Sequence, residues 1–478
     1  MAQTFFFYDL ETSGLNARDS RIMQFAGIRT DTDFNPIGEP YNVLVALNDD
    51  TLPSPEALLV TGITPQQTVT DGYTEAQFAR LLTDEVFTDD TVAIGFNNIR
   101  FDDEFVRHLF WRTFNDPYEW CWKNGRGRWD LLDVVRMVRA LRPDGIVWPE
   151  IDGKASNKLE LLTKVNGIDH LKAHDALSDV EALIAVTKLI RDKQPQMYKY
   201  LFSVRDKKAV KSLVNLDDKK PFVYTSGRYD AEHAKTTVAF PLTSGKNGNV
   251  IVYDLRYDPS AVVDLSPDEL KKKLNASWEE RNADGFVKVP VKELQYNRAP
   301  AVAPLGVLEQ AGAWERIHLD AATIEKHRDA LLRAPHFAEN IRSLFENRAD
   351  FPKSKDVEVQ LYDGFVGDRD KLRIETVRNA TERELTDFHP EFSDERLSPL
   401  LLHYKARNFP RTLTQSESVE WEQWRTQRIA NQLPAFMKSF EKLSAGETDE
   451  GKLFIFEEMK LWLESIAPAD TSNQDSMD

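Results

Sequence analysis

Thr4-Phe5-Phe6-Phe7-Tyr8-Asp9-Leu10-Glu11-Thr12 joins a run of large apolar side chains to two carboxylates two positions apart. Four consecutive aromatic residues bounded by polar ones read as a buried strand. Residues i and i+2 of a strand point to the same side, so Asp9 and Glu11 converge on one point near its end. Two unpaired carboxylates beside a buried strand are costly, and a cation bound between them removes that cost. The plainer alternative is a strand that ends in a polar turn, and this pattern alone leaves both open.

Outward from that strand, QFAGIRTD, YNVLVAL and TVAIGFN near residue 91 are further strands bounded by Asp, Asn, Gly or Pro. Helical spacing follows in Phe105, Leu109 and Phe110, and again in Leu177, Val180 and Ile184. Strands alternating with helices predict an α/β domain over residues 1–195. Beyond it, PFVYTS, TTVAFPLTS, NVIVYDL and GFVKVPV are short β-prone runs, with Gly245-Lys246-Asn247-Gly248 as a hairpin signal between two of them. Ser266-Pro267-Asp268-Glu269 is a capping box that starts a short helix. Residues 196–350 therefore read as a β-rich domain, 351–466 as a helical C-terminal domain, and 467–478 as a polar disordered tail.

Composition bounds the classes open to this chain. Its 478 residues exceed one ordinary domain, and the length prior is about three. The single Cys121 excludes an internal disulfide and a Cys-rich zinc cluster. No run approaches the ~18 apolar residues of a membrane helix. The segment MAQTFFFYDLET lacks a basic leader and carries acids in its apolar stretch, which argues against a secretory signal. A cytoplasmic protein with no membrane partner is expected. The formal net charge of -17, taken alone, argues against nucleic acid, whose binders usually carry a basic field.

Two further motifs change that view. Asn97-Asn98-Ile99-Arg100-Phe101-Asp102 follows an apolar run and sets a carboxylate at a strand-to-helix junction, where a helix N-cap is the ordinary role for Asp. His174-Asp175-Ala176-Leu177-Ser178-Asp179 opens an amphipathic helix, with Asp175 as its cap, Asp179 in its first turns and His174 just outside. Taken together, Asp9, Glu11, Asp102 and Asp179 suit hard divalent cations such as Mg2+ or Mn2+, which prefer oxygen ligands. Two such ions about 4 Å apart can clamp the attacking and leaving oxygens of a phosphoryl displacement. A neutral His nearby can take the proton of the attacking water. Phosphodiester hydrolysis is the reaction class that uses this set.

The ordered set Asp9, Glu11, Asp102, His174 and Asp179, with the NNxxFD context and the H-x4-D spacing, resembles the DEDDh 3'-to-5' exonucleases, which have an RNase H-like fold. The sister group with a Tyr base in Y-x3-D has no counterpart here. Further strings, DPYEWCW, RWDLLDVVRMVRALRPDGIVWPE and YKARNFPRTL, resemble the bacterial exonuclease I family of processive, single-strand-specific deoxyribonucleases. That resemblance implies an α/β RNase H-like exonuclease domain, an SH3-like β-rich domain and an all-helical C-terminal domain. It implies that Asp9, Glu11, Asp102 and Asp179 hold two Mg2+ ions with substrate, with Mn2+ as a substitute. Glu11 would also meet the 3' end, and His174 would be the general base. Asp103 and Asp175, beside motif positions, are taken as structural.

The resemblance also implies DNA contacts at Arg107, Trp122, Arg136 and Lys158. Lys158 replaces the more usual Arg and loses its planar fork. Ser13 and Leu10 stand where some relatives carry aromatics beside the first acidic pair. From Phe105 to Arg142 there are eight bases and four acids, interleaved with Trp111, Phe114, Tyr118, Trp120, Trp122 and Trp129. Cations beside aromatic faces are what a sequence-tolerant single-strand groove requires, although at least half of these aromatics are expected to be core. A second basic run, Arg205, Lys207, Lys208, Lys211, Lys219, Lys220 and Arg228, is either a solvated surface or a hold on the uncleaved strand.

The activity implied is hydrolysis of single-stranded DNA to nucleoside 5'-monophosphates in DNA repair and recombination, by a monomer. The implied protein partner is the single-stranded DNA-binding protein, with Arg142 as one candidate for its docking pocket. An RNA-processing exoribonuclease shares the catalytic set, and a non-catalytic single-strand-binding protein is the alternative of another class. Residues 1–90 carry 15 acids and 4 bases, whereas residues 91–200 carry 16 and 17, so the deficit lies outside the expected groove.

Overall fold

The computed structural model describes residues 2–168, 175–310, 312–349 and 352–467. His174 and residues 468–478 of the expected tail lie outside them. The chain divides into two compact units, one built from 1–127, 171–181 and 352–478 and the other from 128–170 and 182–351.

In the first unit, β1 (Thr4–Thr12) is flanked by β2 (Ile22–Thr30), which β3 (Tyr41–Leu44) extends, and by β4 (Thr91–Gly95), in the order β3-β2-β1-β4. β1 pairs antiparallel with β2 and parallel with β4. The parallel pair needs a crossover, and the intervening chain supplies helices Pro55–Thr61, Pro65–Asp71 and Glu75–Leu81. Ser54, Thr64 and Thr74 cap these helices with their side chains, the last two in capping boxes closed by Gln67 and Gln77.

β1 is apolar on successive residues because both of its faces are covered. Phe6, Tyr8 and Leu10 pack with Phe25, Phe78, Phe105 and Phe110, while Phe5 and Phe7 meet Phe34 on the opposite face. Each such side chain removed from water contributes about 1.5–3 kcal/mol. Gly27, opposite Tyr8 in the register, is required by close approach, since a Cβ there would stand 2.3 Å from the Phe6 ring.

The C-terminal helices share cores with this domain. Ile429, Phe436, Phe440, Phe456, Met459 and Trp462, from helices Gln415–Ser444 and Glu450–Ile466, close over Met23, Leu47, Leu58 and Ile63. A second cluster sets Leu361, Val377, Leu397, Leu400 and Tyr404 against Trp111 and Phe114.

The second unit contains a five-stranded antiparallel sheet built from Phe222–Thr225, Thr236–Ser244, Val250–Asp254, Val291–Leu294 and Ala301–Pro304. The turn at 245–248 joins two of these strands as expected, with Asn247 and Gly248 at φ of 55° and 75°. The capping box at Ser266 and Glu269 heads helix Pro267–Leu274. Helices Pro195–Ser203, Lys207–Leu213, Ala321–Leu332 and Pro335–Glu346 flank the sheet segment in sequence, and the short β-prone runs had not announced them. Among the described residues, no helix is long and apolar enough to cross a membrane.

Candidate active site

Asp9 and Glu11 lie opposite Ala26 and Gln24, and a register shift after Glu11 ends the regular pairing. Because β4 runs parallel to β1, both strands deliver their carboxyl ends to the same edge, where open α/β sheets place ligands. The chain leaving β4 turns tightly there. A Cβ on Gly95 would meet that of Asn98 at 2.5 Å, and Asn97 adopts a left-handed φ of 71°, which Asn tolerates.

Helix Asp102–Arg112 then begins, with Phe101 at the cap position and no side-chain cap bond. Asp102 is its first residue, buried at 4% exposure, so the ordinary N-cap role does not account for it. Asp103 does serve the fold. It is fully buried and accepts hydrogen bonds from the Tyr8 hydroxyl at 2.6 Å and from Asn98 Nδ2 at 3.3 Å, tying the turn to β1.

Asp179 sits in the first turn of helix Ala176–Lys193, its backbone N–H donating to the Asp175 carbonyl at 3.0 Å. One carboxylate oxygen from each of Asp9, Glu11 and Asp179 lies within 4.8 Å of the other two. Burial pushes the Glu11 carboxyl up to about 8, helped by the charges of Asp179 and Asp175. Asp9 is pushed well above its ordinary value by burial, then by Asp102, Glu11 and Asp179. Asp102 thus joins the group through its effect on Asp9. Like charges drawn together out of water must take up protons or a cation. A donor set made only of carboxylate oxygens matches a hard divalent ion, so the residues present fit Mg2+ or Mn2+.

A cavity of about 210 Å³ lies beside this site, lined among others by Leu15, Arg18, Arg100, Phe101, Glu104 and Tyr362. His108, also in its wall, is lowered to about 3 by burial and by Arg112, so it is neutral at ordinary pH.

The expected DNA contacts fall in both units. In the first, Arg107 is largely buried, 3.2 Å from Glu104 and 3.5 Å from the Tyr362 hydroxyl, whereas Trp122 is 62% exposed. In the second, Arg136 pairs with Asp133 at 2.6 Å, and the exposed Lys158 approaches Glu160 at 3.4 Å. Trp111, Phe114, Trp120 and Trp129 are core residues, in line with the expectation that at least half would be. Arg112 is buried against Glu75, and Arg142 donates to the carbonyls of Leu141 and Val307. Of the second basic run, Lys207, Lys208, Lys211, Lys220 and Arg228 are exposed, while Arg205 lies over the Phe202 ring at 3.8 Å.

Sequence reasoning missed the groups that brace the site. Tyr8 could have been suspected as the one polar-tipped aromatic in its run. The Tyr362 contact with Glu104 and the burial of Arg21 carry no local signal, because their partners lie up to 337 residues away.

Three family models match the chain: "Exonuclease" over residues 6–187, "Exonuclease I SH3-like domain" over 205–347 and "Exonuclease I C-terminal domain" over 355–466. Exodeoxyribonuclease I of Haemophilus influenzae is 38% identical over 453 residues, covering 94% of this chain and 95% of the relative. That of Escherichia coli is 39% identical over 440 residues, covering 91% of each. The crystal structure of E. coli Exonuclease I in complex with a dA16 oligonucleotide superposes with a TM-score of 0.93 at 37% identity, covering 97% of this chain and all of that one. A zinc-bound E. coli complex with single-stranded DNA matches with a TM-score of 0.92 at 36% identity, covering 98% of this chain and all of that one. A complex described as SSB/Exonuclease I matches with a TM-score of 0.89, at the same identity and coverage.

Proposed function

The chain belongs to the exonuclease I family of phosphodiester hydrolases, and from that membership we propose a processive 3'-to-5' exodeoxyribonuclease that converts single-stranded DNA to nucleoside 5'-monophosphates. The observation that carries the chemistry is the gathering of Asp9, Glu11 and Asp179 from two distant parts of the chain at the end of β1. With Asp102 they would hold two Mg2+ ions, which when bound neutralise the scissile phosphate and orient the attacking and leaving oxygens.

The chain's own residues prepare that site. β1 presents Asp9 and Glu11 on one side, and the Tyr8–Asp103 bond fixes the turn that delivers Asp102. Glu11 meets the 3' end, where the hydroxyl marks a terminus. His174 takes the proton of the attacking water. Arg107, Trp122, Arg136 and Lys158 contact the strand, and the exposed lysines at 207–220 hold its uncleaved part.

A role in DNA repair and recombination, a monomeric state and a cytoplasmic site complete this proposal. So does a division at 1–195, 196–350, 351–466 and 467–478. The single-stranded DNA-binding protein is the proposed partner, because a complex of that kind exists for a 36% identical relative. Arg142 remains a candidate for its docking pocket.

The test is a time course of products from a 5'-labelled single strand, against duplex and RNA controls, with and without Mg2+. Mononucleotides released only with Mg2+ and only from single-stranded DNA are expected. Asp179→Ala and His174→Ala should retain strand binding and lose nearly all turnover. Unaltered turnover in either variant would overturn the mechanism, and preference for the RNA strand would overturn the substrate.

A further inference from the structure

Two of the elements that carry the metal-site carboxylates, β1 and helix Asp102–Arg112, are held by one short segment of the C-terminal region, residues 356–362. Glu358 within it is completely buried. One of its oxygens accepts from Arg21 at 2.7 Å, and the other lies 2.5 Å from Arg407 and 2.9 Å from His403 Nδ1. Arg21 stands where the loop after β1 returns to the sheet. Its backbone N–H donates to Ser13 Oγ at 2.8 Å, and its carbonyl accepts from the Ser13 N–H at 2.9 Å. Ser13 is two residues from Glu11. The chain of contacts from Glu358 through Arg21 to Ser13 therefore ends beside a metal-binding carboxylate.

The same segment grips the Asp102 helix along its length. The Val357 carbonyl accepts from Trp111 Nε1 at 2.9 Å. The Tyr362 hydroxyl bonds Glu104 and lies 3.5 Å from Arg107 Nη1. Asp356 pairs with Arg428 at 3.0 Å, and another nitrogen of that guanidinium donates to the Asp19 carbonyl in the loop after β1. Asp50, also completely buried, closes the network with Arg407 at 2.8 Å and Arg428 at 3.0 Å. A bare interface between domains would be met by apolar packing, which already exists on both sides of this network. Buried ion pairs add little net stability over such packing, but they fix one geometry.

We propose that Glu358 and Tyr362 are positioning residues for the divalent-cation site, so that the C-terminal domain is part of the catalytic apparatus. Glu358 sets the loop that follows Glu11, and Tyr362 sets the helix that begins at Asp102. The inference rests on the metal-dependent function above. Direct outer-sphere partners of metal ligands typically carry 10–100-fold in affinity, and Glu358 and Tyr362 act one contact further out, so the lower end is expected.

The test uses the full chain with Glu358→Gln and Tyr362→Phe, and Phe440→Leu as a destabilising change in the other C-terminal core. Mn2+ binding to DNA-free protein is followed by calorimetry, strand binding in EDTA by fluorescence anisotropy, and turnover by kcat and KM. Glu358→Gln and Tyr362→Phe should weaken Mn2+ binding about tenfold. Both should lower kcat and recover it at high Mn2+, and Glu358→Gln should leave strand affinity and KM for DNA near wild type. Phe440→Leu should lower the melting temperature without changing Mn2+ affinity. Should Glu358→Gln fail to fold, Tyr362→Phe decides alone, because it keeps the ring and loses only the hydroxyl. Wild-type Mn2+ affinity in Tyr362→Phe, or an equal loss of affinity in Phe440→Leu, would overturn the positioning role. Failure of the wild-type chain to bind Mn2+ at all would instead sink the metal-dependent reading beneath it.

Discussion

Binding of Mg2+ to the DNA-free protein at pH 7 is expected to release about one proton from Glu11. A carboxyl raised to about 8, as Glu11 is, remains about nine-tenths protonated at pH 7. Asp9 is pushed the same way, well above its ordinary value, by burial and then by Asp102, Glu11 and Asp179. Unperturbed carboxylates would release less than about 0.01 proton each at this pH. Since the cation replaces protons, its affinity should rise with pH through the range around 8 in which Glu11 ionises. Calorimetric titration at pH 7 in two buffers of different ionisation enthalpy counts the protons directly. Glu11→Gln removes the nine-tenths of a proton held by Glu11 and should lower the count by about that much. A release near zero, or equal Mg2+ affinity at pH 6 and pH 8, would show that these carboxylates ionise together without a cation, and the electrostatic account of the site would be wrong.

The same titration acts on stability. Because the Glu11 value is raised on folding, its contribution is fully present below about 4.5 and is lost as pH rises through about 8. Metal-free protein should therefore melt lower at pH 8.5 than at pH 6, and saturating Mg2+ should close the gap; thermal scans showing no pH difference without metal would refute this. Gly27→Ala should cost about 1–3 kcal/mol in urea denaturation, because the added methyl meets the fully buried Phe6 ring. An unchanged midpoint would mean that this ring can move aside. Reversing the charges of Lys207, Lys208, Lys211 and Lys220 should shorten the run of nucleotides removed per binding event, with little loss of single-turnover cleavage. Slower chemistry with an unchanged run length would assign these lysines to another task.

The strands of the first unit were legible because their apolar runs are continuous and their ends polar, and β1 carried its two carboxylates in a period-2 pattern that survives any packing detail. The hairpin at 245–248 and the capping box at 266–269 were legible for a similar reason, since each is a local device complete within four residues. What could not be read was burial of charge. Arg112 counts as a groove cation in a sequence tally, yet it is paired with Glu75 inside the domain. Helical periodicity places such residues on a face, but it does not say whether another segment covers that face. The bracing of the site by residues 356–362 was unreadable for the same reason: its energy lies in pairs separated by hundreds of residues.

The acidic balance of the chain takes a different meaning once those pairs are known. Residues 1–90 hold 15 acids against 4 bases, and the sequence divides that excess between catalytic carboxylates and a negative surface. The structure adds a third class. Asp50 and Glu75 are almost wholly buried, and the arginines that neutralise them, Arg112, Arg407 and Arg428 with Arg21, come mostly from other regions. Burial, and then the charges of Arg112 and Arg428, lower Arg21 to about 9, which still leaves it charged at neutral pH. Those arginines are thus unavailable to phosphates, while Asp33, Asp84, Glu85 and Asp89 remain exposed. Fewer free cations than the tally suggests, under a net charge of -17, leave little long-range pull on a polyanion. Retention of a strand must then come from short-range contacts and stacking more than from a long-range field.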